Sequence, residues 1–208
     1  MPIRIYGNRA IKTLPGEATR PTSSRVREAV FNIWQGRVRG ARWLDLCAGS
    51  GAMGAEALCR GAANVVGIEK SPAACRIVNE NWQKVATSEQ TYRVIKADVV
   101  KGVAVLNQTF DLVYFDPPYA SGLYTALLSK LAERIAIEGE VAVEYGGGHW
   151  HPEALPAAVT NQLELVRQKR YGQTHLAFFR RCNSAGSLRK AEEKAEEKTE
   201  KKAKEQAG

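Results

Sequence analysis

Long apolar runs are missing from these 208 residues. No stretch approaches the roughly 18 residues that a membrane span requires. The opening Met1-Pro2-Ile3-Arg4-Ile5-Tyr6-Gly7 carries no apolar h-region of an export signal. Cysteine is scarce and scattered: Cys47, Cys59, Cys75 and Cys182 form no CxxC pair and have no histidine close by. That spacing fits neither a zinc site nor a secreted disulfide framework. No metal site and no membrane contact are expected, and the four thiols read as small, mostly buried side chains of a cytoplasmic protein. No internal repeat is visible. The length suits one domain with a small appendage, enough chain to bury a core without staples.

Acidic residues are nearly absent from one region. Residues 1–42 hold Arg4, Arg9, Lys12, Arg20, Arg25, Arg27, Arg37, Arg39 and Arg42 against only Glu17 and Glu28, a net of +7. Residues 43–182 hold fourteen cations and fourteen anions, and 183–208 hold seven against six, so the formal charge of +8 sits almost wholly in the N-terminal segment. A polyanion-binding element attached to a neutral body has this profile; a merely solvated basic surface is the plain alternative. Arg4, Arg9, Arg25 and Arg27 are the expected substrate contacts.

Residues 3–14 read as a hairpin, with Ile3, Ile5, Ile11 and Leu14 around Gly7-Asn8. After a turn-rich 15–21 stretch, Thr22, Ser23 and Ser24 offer caps to a helix. Its buried stripe is Val26, Val30, Ile33 and Trp34, which leaves Arg25, Arg27 and Glu28 facing water or a partner. Beyond Arg42, short apolar strands at 43–47, 65–69, 92–96, 111–115 and 140–145 alternate with helices near 52–61, 71–86, 99–106 and 121–134. This alternation predicts an α/β fold, a doubly wound and mostly parallel sheet. Strands at 162–169 and 174–181, joined at Tyr171-Gly172-Gln173, predict an antiparallel last strand. The expected divisions are a basic hairpin and helix over 1–41, the main domain over 42–182 and a charged tail over 183–208. The tail, built of Glu-Glu-Lys blocks and alanine, has helix propensity but no apolar stripe, and reads as solvated and disordered or partly helical.

Asp45-Leu-Cys-Ala-Gly-Ser-Gly-Ala-Met-Gly54 follows the first parallel strand and opens a helix. Its glycines let backbone turn sharply at a helix N-terminus. The G-x-G-x-x-G within it, with Glu69 twenty positions past Gly49, would also suit a dinucleotide. Electrostatics separates the two ligands. Asp45, Glu69, Asp98 and Asp116 all fall at strand C-terminal ends, the edge where open α/β sheets bind ligands. Four carboxylates oppose a pyrophosphate. They suit S-adenosylmethionine, which carries an ammonium, a sulfonium and a ribose diol, and whose one carboxylate can use the helix N-terminus after Gly51. The expected cofactor contacts are Asp45 near the methionine end, Gly49, Ser50, Gly51, Glu69 on the ribose hydroxyls and Asp98 on the adenine amine.

Asp116-Pro117-Pro118-Tyr119 follows the strand over 111–115. Two prolines stiffen the loop and expose the Asp116 carboxylate and Pro117 carbonyl as acceptors. An exocyclic amine on a base has two N–H donors, and two fixed acceptors can bind both. Held out of plane, the amine concentrates its lone pair on nitrogen for in-line attack on a methyl group. Tyr119 offers an aromatic face for a flipped-out base. These four residues are the expected catalytic set.

Taken together, Arg20-Pro21-Thr22, Arg25-Val26-Arg27-Glu28 with Phe31-Asn32, Asp45 through Gly54 with Glu56-Ala57-Leu58, Arg60-Gly61-Ala62, Glu69, Asp116 through Tyr119, Glu144 and Tyr171-Gly172 carry a resemblance over about residues 3–181. The sequence resembles the bacterial family of small-subunit ribosomal RNA guanine-N2 methyltransferases, the D-type enzymes acting on 16S rRNA. The glycine loop and Asp-Pro-Pro-Tyr belong to many amino-methyltransferases; the arginine-rich block points to this family. The resemblance implies a seven-stranded S-adenosylmethionine-dependent methyltransferase fold. It also implies a guanine N2 as acceptor, in 16S rRNA of an assembled or assembling small subunit. Cys47 departs from the family, whose members often carry an aromatic there. No second domain large enough to read a DNA sequence is visible, and a folded RNA with one unstacked base asks less of a small, monomeric protein. An adenine-N6 or cytosine-N4 methyltransferase, a non-catalytic ribosome-assembly factor and a nicotinamide dehydrogenase are the competing readings.

Overall fold

The computed structural model describes residues 3–14, 23–119, 122–148 and 150–182. The expected tail over 183–208, the 15–21 turn and the expected Thr22 cap lie outside the described residues. The chain starts with a small antiparallel ladder, β1 (Ile3–Ile5) and β2 (Arg9–Ile11), closed by a 3-10 turn over Tyr6–Asn8. Helix α1 (Ser24–Ile33) follows, with the Ser23 side chain accepting the Val26 N–H as its N-cap.

The rest is a seven-stranded sheet. Its strands are β3 (Arg42–Leu46), β4 (Asn64–Glu69), β5 (Thr91–Lys96), β6 (Phe110–Phe115), β7 (Ile135–Gly146), β8 (Leu163–Tyr171) and β9 (Thr174–Arg181). The spatial order is β5-β4-β3-β6-β7-β9-β8. The first five are parallel; β9 runs antiparallel between β7 and β8. Connecting helices are α2 (Ala52–Cys59), α3 (Pro72–Val85), α4 (Val99–Ala104), α5 (Leu123–Leu131) and the short α6 (Ala157–Thr160). The β3→β6 reversal beside β4 places a crevice at the strand C-termini, where such sheets bind ligands.

Alternation along the strands divides the core. Trp43, Val65, Leu112, Tyr114, Ala142, Leu176 and Phe178 face α1, α2 and α3. Leu44, Leu46, Val66, Ile68, Val113, Phe115 and Phe179 face α4, α5 and α6. The N-terminal elements share the first of these cores: Phe31 stacks on Trp43 at 5.1 Å, and Trp34 meets Phe178 edge-on at 5.7 Å.

Arg27 corrects the sequence expectation. It is only 3 % exposed, not turned to a partner. Its Nε donates to Glu56 Oε2, its other end donates to the Arg4 carbonyl at 2.6 Å, and Arg60 holds the remaining oxygen of Glu56 at 2.9 Å. The stripe Val26, Val30, Ile33, Trp34 omits Phe31, and Arg27, Phe31 and Trp34 follow one another at i, i+4 and i+7 on a neighbouring buried line. An arginine on that line is buried, and Glu56 is the charge that makes burial tolerable. Removing one partner of a buried pair is expensive, so Arg27→Ala is expected to cost about 3 kcal/mol in urea unfolding. Exposed Arg25→Ala should change stability by less than about 0.5 kcal/mol.

Candidate active site

The glycine loop is shaped by its neighbours. Gly51 has φ +72 and heads α2; a Cβ there would lie 2.8 Å from Trp82 Nε1, and one at Gly54 would lie 2.2 Å from the Trp82 ring. Trp82 Nε1 donates to the Gly51 carbonyl at 2.8 Å. Part of the G-x-G-x-x-G pattern therefore makes room for a tryptophan on α3, which is why the glycines alone identify no ligand. Gly49 (φ +57) and Cys47 (φ +60) bend the chain off the end of β3.

Three expected acids converge here. Glu69, at the end of β4 and 9 % exposed, accepts the Gly49 N–H at 3.0 Å and the Ser71 N–H at 2.8 Å. Asp45, 2 % exposed, accepts the Gly54 N–H at 2.9 Å. Asp116 leaves β6 beside them, its N–H on the Leu46 carbonyl. Their convergence is felt by Cys47: burial, then the charges of Asp116, Glu69 and Asp45, push its thiol up to about 12. Asp98 stands farther out, exposed past the end of β5, and caps α4 by accepting the Val100 N–H at 3.0 Å.

Burial raises the Asp45 carboxyl from its ordinary 3.8 to about 8, with the charge of Glu69 adding to it and the Gly54 bond opposing it. A carboxyl whose folded pKa is raised favours the folded state fully below the unfolded value; that contribution is lost as pH rises through about 8. Asp45→Asn removes the dependence. Between pH 5 and pH 8 the wild-type chain should lose on the order of 2–4 kcal/mol more unfolding free energy than Asp45→Asn. Urea titrations at both pH values check this.

The Asp-Pro-Pro-Tyr loop is docked on the antiparallel side of the sheet. Tyr119 Oη donates to Glu144 Oε1 at 3.0 Å and lies 3.3 Å from Thr174 Oγ1. The Tyr114 hydroxyl donates to the other oxygen of Glu144, which is 5 % exposed. Burial and the Glu144 charge hold the Tyr119 phenol well above its ordinary range. Its ring lies so close to Gly146 that a Cβ there would sit 2.4 Å from Cδ2. Pro117 is buried and Pro118 exposed. The loop is thus braced at both ends, by the β6 backbone and by Glu144.

Asn81 is a connection that the sequence did not suggest. This residue of α3, 1 % exposed, accepts the Lys12 N–H at 2.8 Å and donates at 2.9 Å to the carbonyls of Lys12 and Ser50. One amide thereby registers the end of the basic hairpin to the glycine loop. Of the expected substrate contacts, Arg25 is exposed and its guanidinium lies 5.8 Å over the Tyr171 ring. Arg4 binds Asn8 within the hairpin. Arg9 reaches Val85 and Cys59 at the far ends of α3 and α2, away from the crevice. Asn81 had no sequence signal, and Glu144 stood out only through the family resemblance, without its bond to Tyr119, since each acts through elements distant in the chain.

Carboxylates, the backbone at the α2 N-terminus and the braced Asp-Pro-Pro-Tyr loop meet at one sheet edge. Among the described residues, no group of His, Cys, Asp and Glu could hold a metal ion, and no helix is long and apolar enough to cross a membrane. Residues 3–180 match the family Conserved hypothetical protein 95. The chain belongs to it. The chain is 31 % identical over 189 residues to "Ribosomal RNA small subunit methyltransferase D" of Escherichia coli strain K12, covering 86 % of this chain and 90 % of that protein. The protein of the same name from Haemophilus influenzae is 33 % identical over 133 residues, covering 62 % and 68 %. The solved structure of yhhF from Escherichia coli superposes with a TM-score of 0.73 at 30 % identity, over 88 % of this chain and 99 % of that one. The magnesium protoporphyrin IX methyltransferase of Synechocystis, solved with bound S-adenosylmethionine, shares the fold at a TM-score of 0.58 and 17 % identity, over 76 % and 78 %. This family has the seven-stranded Rossmann-like methyltransferase fold expected from the strand and helix pattern.

Proposed function

We propose that this protein transfers the methyl group of S-adenosylmethionine to the exocyclic N2 of a guanine in 16S rRNA, within a small ribosomal subunit or its assembly intermediate. The observation that carries the reading is the braced Asp116-Pro117 pair of acceptors beside Glu69 and Asp45. The likeness to small-subunit methyltransferase D proteins supplies the RNA. S-adenosylmethionine, when bound, supplies an electrophilic methyl on a sulfonium. The residues of this chain do the rest. Glu69 takes the ribose hydroxyls, Asp98 the adenine amine and Asp45 the ammonium end, with Gly49, Ser50 and Gly51 shaping the loop. Asp116 and the Pro117 carbonyl accept the two N–H bonds of the base amine and aim its lone pair. Pro118 stiffens the loop, and the Tyr119 ring, anchored on Glu144, supplies a stacking face. As the N–C bond forms the C–S bond breaks, and the amine then gives up one proton to Asp116 or water. Positioning and fixed charge are the sources of rate.

The protein is proposed to act as a cytoplasmic monomer, its N-terminal segment contributing phosphate contacts through Arg25 foremost. Incubation with labelled methyl donor and ribosomal subunits from cells lacking this protein tests the substrate. Label is expected in small-subunit RNA. Label confined to large-subunit RNA, or to protein, would overturn the assignment.

A further inference from the structure

The neutral total of residues 43–182 conceals a separation. Residues 43–162 hold nine cations and thirteen anions, a net of −4; residues 163–181, the β8–β9 hairpin, hold five cations against Glu164, a net of +4. Two of those five are spent far from the crevice: Arg180 pairs with Glu140 at 2.9 Å, and Arg181 donates to the carbonyls of Glu133 and Ile135. Arg167, Lys169 and Arg170 are exposed and form no ion pair among the described residues.

Cations on an edge strand also discourage strand-to-strand aggregation, and β8 is an edge. Position distinguishes this strand from a merely protected edge. Tyr171 pairs with Thr174 at the hairpin tip, and Thr174 Oγ1 is 3.3 Å from the Tyr119 hydroxyl of the catalytic loop. The Arg25 guanidinium lies 5.8 Å over the Tyr171 ring, and Arg167 lies 5.9 Å over Phe178 on the same sheet face. Side chains two apart share a face of a strand, so Arg167, Lys169 and Tyr171 form one line that continues into Arg25. A basic stripe therefore runs outward from the acceptor loop, assembled from two segments more than a hundred residues apart in the chain.

We infer that the β8–β9 hairpin, through Arg167 and Lys169, is a phosphate-binding surface that holds structured RNA beside the acceptor loop, with Arg25 and Tyr171 at its inner end. The inference rests on the RNA reading of the function and adds a surface that the N-terminal charge did not indicate. Neutralised phosphates release counterions, which makes such binding salt-dependent, with a slope of about 0.7–0.9 per contact. Arg170 is left unaltered in the test because its Nε holds the turn through the Gly172 carbonyl at 3.0 Å.

The experiment compares wild type, the double variant Arg167→Gln/Lys169→Gln and the control Arg93→Gln/Lys130→Gln, which removes two exposed charges from β5 and α5. Each full-length protein is titrated with small ribosomal subunits over a range of salt and, separately, with S-adenosylhomocysteine. The hairpin variant should bind subunits at least tenfold more weakly, with a salt slope smaller by about 1.5, and bind S-adenosylhomocysteine as wild type does. The control should match wild type throughout. Equal losses in both variants, or an unchanged slope in the hairpin variant, would overturn the surface. Methyl transfer is scored apart from binding. Subunit binding that depends on Arg167 and Lys169, without transfer by wild type, would leave the surface standing and refute the substrate; no RNA binding by wild type would refute both.

Discussion

Asp116→Ala is expected to lower methyl transfer at least a hundredfold while changing affinity for S-adenosylhomocysteine less than threefold. The carboxylate stands at the end of β6, on a loop fixed by two prolines and by the bond from Tyr119 to Glu144. Its proposed work is to accept one N–H of the base amine while the Pro117 carbonyl accepts the other. Losing one of two fixed acceptors leaves the amine free to rotate back into conjugation with its ring, and loss of one such preorganised partner typically costs about 10²–10³ in rate. The backbone bond to the Leu46 carbonyl survives the change, because it comes from the Asp116 N–H, which alanine keeps. Asp116→Asn separates two roles for the side chain. The carboxamide keeps an acceptor oxygen but is a poor base. Activity within about tenfold of wild type would assign the role to orientation, and a loss as deep as that of alanine would assign it to proton removal. Single-turnover transfer to small subunits, with melting temperature as a control for folding, gives both answers.

Glu69→Ala is expected to weaken cofactor binding by about 10- to 100-fold, the range for losing hydrogen bonds to a charged acceptor. Glu69 has two roles that must be separated. It holds the glycine loop through the Gly49 N–H and the start of α3 through the Ser71 N–H, and it is the proposed partner of the ribose diol. Calorimetry with S-adenosylhomocysteine and with an analogue lacking the ribose hydroxyls forms a double-mutant cycle. If Glu69 binds the diol, wild type prefers the full ligand and Glu69→Ala binds the two almost equally. A penalty of the same size for both ligands would mean that Glu69 acts through the loop alone.

The strand ends are legible in the sequence because chemistry and pattern coincide there. Short apolar runs end in Asp45, Glu69 and Asp116, and the topology brings those ends to one edge. The antiparallel run of β9 is legible in the Tyr171-Gly172 turn, whereas its insertion between β7 and β8 and the length of β7, which begins at Ile135, are not. Arg27 defeats the helical pattern because a helix can bury two adjacent lines. A charged residue on one of them reads as solvent-facing until Glu56, 29 positions away, is found against it. Trp82 shows the converse: the glycines of the loop are visible, whereas the ring they accommodate comes from α3. Asn81 carries no local signal, and the anchoring role of Glu144 is not legible from its place in the resemblance, because each joins segments that meet only in the folded chain. Summed charge locates the N-terminal arm and hides the β8–β9 hairpin, since −4 and +4 cancel over one long interval.

The identity of the methylated nucleoside tests the central claim most directly. Small subunits from cells lacking this protein are treated with it and S-adenosylmethionine, and their RNA is digested to nucleosides for mass spectrometry. The account predicts a stoichiometric gain of N2-methylguanosine, absent with Asp116→Ala. A gain of N6-methyladenosine or N4-methylcytidine instead would contradict it, because the same acceptor loop would then be serving a different base.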